Sequence, residues 1–162
     1  MSKSDISGQV RDRTARALAW GDAHVTIDDA VDGLAPELRG RRASGFPHSP
    51  WELLEHIRIA QHDLLDFCRN PSYEAPAWPE DYWPAEPGPP DDSAWRASIE
   101  AYRRDRDDLA ALVRDTTNDL ESPIPHGSGQ TYLREVLVCI DHTAYHVGQL
   151  VAVRRLLGDW RG

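Results

Sequence analysis

His142 and His146 stand four residues apart, a spacing that puts two imidazoles on one face of a helix within reach of one metal ion. Seven histidines (24, 48, 56, 62, 126, 142 and 146) scattered over this length would give about 0.3 such pairs by chance, so the spacing alone says little. The surroundings say more. The pair lies midway along the most apolar stretch of the chain, where only Arg134, Glu135 and Asp141 are charged between Leu133 and Val153. Two unpaired imidazoles would be costly to desolvate there, and a shared cation bound through neutral nitrogens would relieve that cost. A third ligand must come from another segment. His56 is best placed, on the edge of an apolar face formed by Leu53, Ile57, Ala60, Leu64 and Phe67. Three histidines with an open coordination position make a catalytic type of site, one that activates water or a thiol. Two other readings stand beside it. Cys139, three residues before His142, could join a Cys139–His142–His146 set, or the histidines could be hydrogen-bonded core residues without metal.

The neighbouring groups divide by position. Glu52, one turn before His56, could orient a ligand or move protons, or could simply be the third residue of a capping box opened by Ser49. Tyr145 and Gln149 sit near the histidine pair as candidate donors to its ligands. His62 points away from the apolar face, beside Glu55, Arg58 and Asp66, and reads as a solvated surface residue. His24, His48 and His126 fall in loops, where they could be ligands, rim groups or neither.

Helices must position these groups, because strand signals are nearly absent. A first helix is expected from about Asp5 to Trp20. A short one should follow the capping-box pattern Thr26-Ile27-Asp28-Asp29 and end near Gly33 or Pro36. Ser49-Pro50-Trp51-Glu52 opens a second long helix, with a capping serine and a proline suited to the first turn, and Asn70-Pro71 stops it. A third starts near Ser93, carrying Trp95, Ile99, Tyr102, Leu109 and Val113 on one face with Arg106 interrupting. The fourth starts near Thr131 and runs to about Leu157, closed by Gly158. Between the second and third long helices, Asn70 to Asp92 holds seven prolines interleaved with Tyr73, Trp78, Tyr82 and Trp83, which forbids a helix or a central strand. Those aromatics could cover the mouth of the site as a lid or merely pin the segment to the outside. Extended, the segment could cross roughly 70 Å, ample to return along helices about 30 Å long. The expected architecture is therefore an all-α helical bundle of one domain, residues 1–162, whose second and third long helices run parallel.

Composition narrows the class of partner. Eighteen Lys plus Arg against 27 Asp plus Glu leave a net charge of −9, the wrong balance for gripping phosphates, so nucleic acid and anionic membranes are not expected partners. No stretch offers an uninterrupted apolar span of membrane length, and Met1 to Val10 has no signal-peptide pattern. Two widely separated cysteines, Cys68 and Cys139, fit a reduced, cytoplasmic setting rather than a disulfide framework. The last helix is apolar on more sides than one interface needs, which makes it either the central helix or a surface shared in a homodimer.

Two segments carry a resemblance. His48-Ser49-Pro50-Trp51-Glu52-Leu53-Leu54-Glu55-His56-Ile57 resembles the second-helix motif of the DinB-like (YfiT-like) metalloenzymes, the damage-inducible helical-bundle family and not the polymerase of the same name. Asp141-His142-Thr143-Ala144-Tyr145-His146-Val147-Gly148-Gln149-Leu150 is similar to that family's fourth-helix motif. The likeness runs from about Val10 to Leu157. It implies a four-helix bundle of up-down-down-up order and a divalent metal, zinc or nickel, held by His56, His142 and His146. It further implies chemistry such as thiol S-transfer to a small electrophile, with a low-molecular-weight thiol as co-substrate. A metal-dependent hydrolase is the alternative, and a non-catalytic dimeric interaction module is the rival from another class. Two features depart from the family: no thiol-binding arginine cluster stands out, and His62 occupies a position where relatives often carry an aromatic.

Overall fold

Local capping chemistry sets most of the element boundaries. A computed structural model describes residues 3–19, 21 and 23–160. Among them five α-helices occur: α1 (Lys3–Ala17), α2 (Ile27–Val31), α3 (Pro50–Arg69), α4 (Asp92–Arg114) and α5 (Tyr132–Leu156), with two short 3-10 turns at Pro36–Leu38 and Glu80–Tyr82. No strand forms among the described residues, and only an isolated bridge joins Pro123 to Thr131. The chain is all-α, as expected.

At α2, the Thr26 hydroxyl accepts from the Asp29 amide while the Asp29 carboxylate accepts from the Thr26 amide, both at 3.1 Å. At α3, Ser49 and Glu52 close the same reciprocal box at 3.1 and 2.7 Å. Each box satisfies two amides that a helix start leaves without partners. Helix α4 begins at Asp92, one residue before the expected Ser93, because Asp91 provides the cap, accepting from the Ala94 amide at 2.8 Å. Helix α1 ends at Ala17, and Trp20, its expected end, lies outside the described residues. Gly158, at φ 75°, takes the left-handed turn that stops α5.

Side-chain pairings give the relative directions. Glu55 meets Ser98, Gln61 meets the Tyr102 carbonyl, His62 meets Asp105 and Arg69 meets Asp108, so α3 and α4 advance together. Along α5 the order reverses: His56 faces His142 and His146, whereas Gln61 faces the earlier Cys139. Arg11 ties α1 to the end of α4, donating to the carbonyls of Val113, Asp115 and Asn118. Arg106, the charged interruption in the apolar face of α4, pairs with Asp28 at 2.9 Å and, with Arg103, fastens α2.

Two apolar clusters fill the interior. One gathers Ile27, Leu53, Leu54, Ile57, Trp95, Tyr102, Val147, Leu150 and Val153. The other gathers Leu18, Leu65, Leu109, Val113, Ile124, Val136 and Cys139. Gln61, fully enclosed, donates to the Tyr102 carbonyl at 2.7 Å at the junction, which satisfies a buried polar group that would otherwise be costly. The most enclosed helix is α3, which packs against both α4 and α5. Helix α5 is long and apolar enough by length and composition to cross a membrane, yet Val136, Val147, Leu150 and Val153 are buried against the other helices. It also leaves Leu137, Val138, Tyr145 and Leu156 exposed.

Candidate metal centre

His142 and His146 stack on one face of α5, and α3 delivers His56 opposite them. The ligand-capable nitrogens of the three rings all lie within 4.8 Å of one another, and His56 Nε2 is 3.0 Å from His142 Nε2. Tetrahedral bonds of 2.0–2.1 Å to zinc would place neighbouring nitrogens about 3.3 Å apart, a value those separations bracket. Three imidazoles that need only small shifts to share one ion fit a divalent metal.

The second nitrogens of His56 and His146 bear on that fit. His56 Nδ1 lies 2.9 Å from the Tyr82 carbonyl. A carbonyl can only accept, so this nitrogen carries the proton and Nε2 presents its lone pair to the other two histidines. His146 Nδ1 donates to Gln149 Oε1 at 2.8 Å. Such partners orient metal-binding imidazoles. Burial and the neighbouring imidazoles push His142 down to about 4. Burial likewise pushes His146 down to about 4, against the pull of its bond to Gln149. Burial also lowers His56, with the Tyr82 carbonyl opposing. Near neutral pH all three rings are therefore uncharged, the form that binds metal.

The proline-rich segment builds one wall. Trp83 lies flat on His56, ring centroids 3.9 Å apart and planes 1° apart, and His48 stacks on Trp83 at 4.1 Å. Three rings in a pile shield one side of the centre. The other side opens into a groove of about 850 Å³ whose walls include Trp78, Trp83, Leu133, Leu137, Val138 and Tyr145, with the three histidines at its base. Thr131, Arg134 and Asp141 supply the polar rim.

The remaining candidates fall elsewhere. Cys139 is not part of the cluster: it faces the interior of the bundle, its thiol 3.8 Å from Gln61 Oε1, and burial raises it to about 12. Seven residues, about 10 Å along the helix axis, separate it from His146, so the Cys139–His142–His146 set does not form. Glu52 is committed to the Ser49 amide and to a two-pronged pair with Arg42. Against the cost of burial, Arg42 and Ser49 hold its carboxyl below the usual range, so it serves the helix start rather than the imidazoles. His62 is exposed and pairs with Asp105 at 3.0 Å. His126 bonds to the Phe67 carbonyl, and His24 to the Val25 carbonyl, both remote from the cluster. Tyr145 stands edge-on to His146 at 4.9 Å, largely exposed on the groove wall. The Tyr82 carbonyl and the Asp63 carboxylate that anchors Tyr82 were not visible as site groups in the sequence, since a backbone oxygen has no residue signature.

An all-helical protein with a three-imidazole centre at the base of an apolar groove is the class these features define. The family model of the DinB superfamily matches residues 20–150, and the chain belongs to that superfamily. No curated relative and no solved structure matches the chain.

Proposed function

We propose that the protein is a metal-dependent enzyme whose His56, His142 and His146 hold one divalent cation, zinc or nickel, and whose apolar groove admits a small electrophile for thiol S-transfer. The observation that carries this reading is the convergence of three imidazoles in the lining of a groove walled by Trp78, Trp83 and Tyr145. A divalent cation bound there would supply a Lewis acid that makes a thiol or water acidic near neutral pH. Membership of the DinB superfamily supports the metal.

The chain's own residues assign the rest. Both cysteines are buried and burial raises each to about 12, so neither serves as the nucleophile and the thiol must be a co-substrate. In the transfer the thiol gives up its proton, the sulfur electron pair forms a bond to the electrophilic carbon, and the bond to the leaving group breaks. The leaving group carries away that electron pair and takes up a proton. Trp78, Trp83 and Tyr145 bind and orient a flat apolar substrate by stacking and exclude water from it. Gln149 and the Tyr82 carbonyl keep the imidazole protons on the nitrogens that face away from the reaction. A hydrolase using the same groove is the second reading, favoured by the groove's openness to solvent.

In fold terms this reading takes α1, α3, α4 and α5 as the four helices of an up-down-down-up bundle. The antiparallel meeting of α3 with α5 and the parallel course of α3 and α4 support that order. The exposed Leu137, Val138 and Leu156 of α5 support a homodimer, and the buried free thiols a cytoplasmic setting.

The test is turnover of a set of small aromatic and aliphatic electrophiles with and without a low-molecular-weight thiol. Thiol-dependent product that disappears on chelation and returns with metal supports the transferase. Thiol-independent hydrolysis with the same metal requirement selects the hydrolase. Full stability and no reaction of either kind favour a non-catalytic interaction module.

A further inference from the structure

Asp63 takes no part in the imidazole cluster and belongs to no helix cap, yet it receives two hydrogen bonds from the crossover. Tyr82 Oη donates to Asp63 Oδ2 at 2.6 Å and Tyr73 Oη donates to Asp63 Oδ1 at 2.7 Å. Phenol–carboxylate bonds of this length are charge-assisted and among the stronger ones a side chain can make. Asp63 lies seven residues beyond His56 on α3, about 10 Å along the helix axis, too far for its carboxylate to touch that ring. Tyr82 spans the gap. Its side chain runs to Asp63 while its backbone carbonyl turns to His56 Nδ1 at 2.9 Å. The residue after it, Trp83, lies flat on the same imidazole.

We propose that Asp63 is a positioning residue which, through Tyr82, holds the crossover against His56 and thereby fixes that ring as the Nδ1–H tautomer, with Nε2 turned toward His142 and His146. The inference rests on the reading of His56 as one of three converging ligands. Geometry gives the latch its direction. The far end of the crossover is fastened independently: Ser49 Oγ donates to the Pro87 carbonyl, and Gly40 and Gly88 cross so closely that a Cβ on Gly40 would lie 2.8 Å from Gly88 Cα. The stretch carrying Tyr82 and Trp83 is therefore held after Trp83 by those contacts and before it by Asp63. Releasing Asp63 frees the near end only. The Tyr82 carbonyl then leaves Nδ1, and an imidazole without that acceptor is free to move its proton to Nε2, which removes the lone pair a metal needs.

The test compares Asp63→Ala, Asp63→Asn, Tyr82→Phe and Tyr73→Phe with the unmodified protein. Long-range 15N–1H correlation spectra of the metal-free proteins, with His56 assigned by substitution, report the tautomer. Cobalt(II) titration reports affinity. The expected result is an Nδ1–H His56 in the unmodified protein, shifting toward Nε2–H in Asp63→Ala and Tyr82→Phe. Asp63→Asn should retain most of the Nδ1–H form, because its amide oxygen still accepts. Tyr73→Phe should also retain it, since Tyr73 carries no group to His56. Cobalt affinity should fall about 10- to 100-fold in the two shifted variants, the usual cost of losing a ligand's orienting partner. An Nε2–H His56 in the unmodified protein overturns the proposal. So does an unchanged tautomer in Tyr82→Phe, and so does an equal shift in Tyr73→Phe, which would mean general loosening of the crossover. A tautomer shift in protein that takes up no cobalt supports the latch and sinks the metal reading instead, so the two failures are distinguishable.

Discussion

Trp83→Ala probes the wall of the centre most sharply. Trp83 stacks on His56 at 3.9 Å and on His48 at 4.1 Å, both nearly parallel. Each aromatic pair contributes about 0.5–1.5 kcal/mol beyond area burial, so the two stacks together are worth about 1–3 kcal/mol. A fully buried Trp→Ala change costs about 3–5 kcal/mol, and Trp83 is only half-buried. Half of that cost is about 1.5–2.5 kcal/mol, so the two routes agree on a loss of about 2 kcal/mol for the metal-free protein. For a chain of this length that is a fall in melting temperature of about 4–8 °C. Urea unfolding of metal-free protein, followed by far-ultraviolet circular dichroism, measures it. The same change strips one face of His56, so chelator should remove metal from the loaded variant at least several-fold faster, whereas Trp83→Phe should keep much of both properties. Unchanged stability together with unchanged metal release would refute the claim that the crossover forms part of the centre.

Acid should weaken the protein partly through Glu55. Burial raises that carboxyl, but the Arg58 and Ser98 bonds and the Arg58 charge outweigh it and leave it below its ordinary 4.5. Its contribution is thus present above pH 4.5 and is lost as pH falls through the lower folded-state value. Glu55→Gln should cost stability at pH 7 and flatten the loss below pH 4.5 in urea titrations at several pH values; parallel pH profiles would contradict this. Cys139→Ser should leave metal stoichiometry at the wild-type value by mass spectrometry, because its thiol lies outside the cluster. Leu137→Glu alters a side chain that is 51% exposed, so the fold should survive while sedimentation shows a lighter particle than the dimer expected of the unmodified protein. A monomer before and after the change would mean this surface pairs with nothing.

The parts legible in the sequence were those written in local chemistry. Ser49 with Glu52 and Thr26 with Asp29 are boxes that need only three residues of spacing, and the prolines from Pro71 to Pro90 exclude a helix by themselves. The histidine trio was legible because an i, i+4 pair on an apolar helix and one more histidine on an apolar edge are matters of helical projection. Projection fails where it must say which face meets which neighbour. The last helix reads as apolar on many sides, and the sequence does not say that Leu137 faces out while Val136 and Val147 are enclosed. Projection also left Cys139 beside His142, although the neighbours of α5 draw that thiol inward toward Gln61. The start of α4 shifted for a smaller reason: Asp91, Asp92 and Ser93 can each cap, and only the approach of the chain selects Asp91. Tertiary closure produced what had no local signal at all, the Trp83 stack, the Tyr82 carbonyl on His56 and the Asp63 anchor.

Metal analysis of protein purified without a histidine tag, alongside His56→Ala, His142→Ala and His62→Ala, tests the central claim most directly. The account predicts about one equivalent of a divalent cation in the unmodified protein and in His62→Ala, and none held stoichiometrically in His56→Ala or His142→Ala. Full occupancy in either of those two variants, or no uptake by folded unmodified protein after dialysis against zinc and nickel, would contradict it.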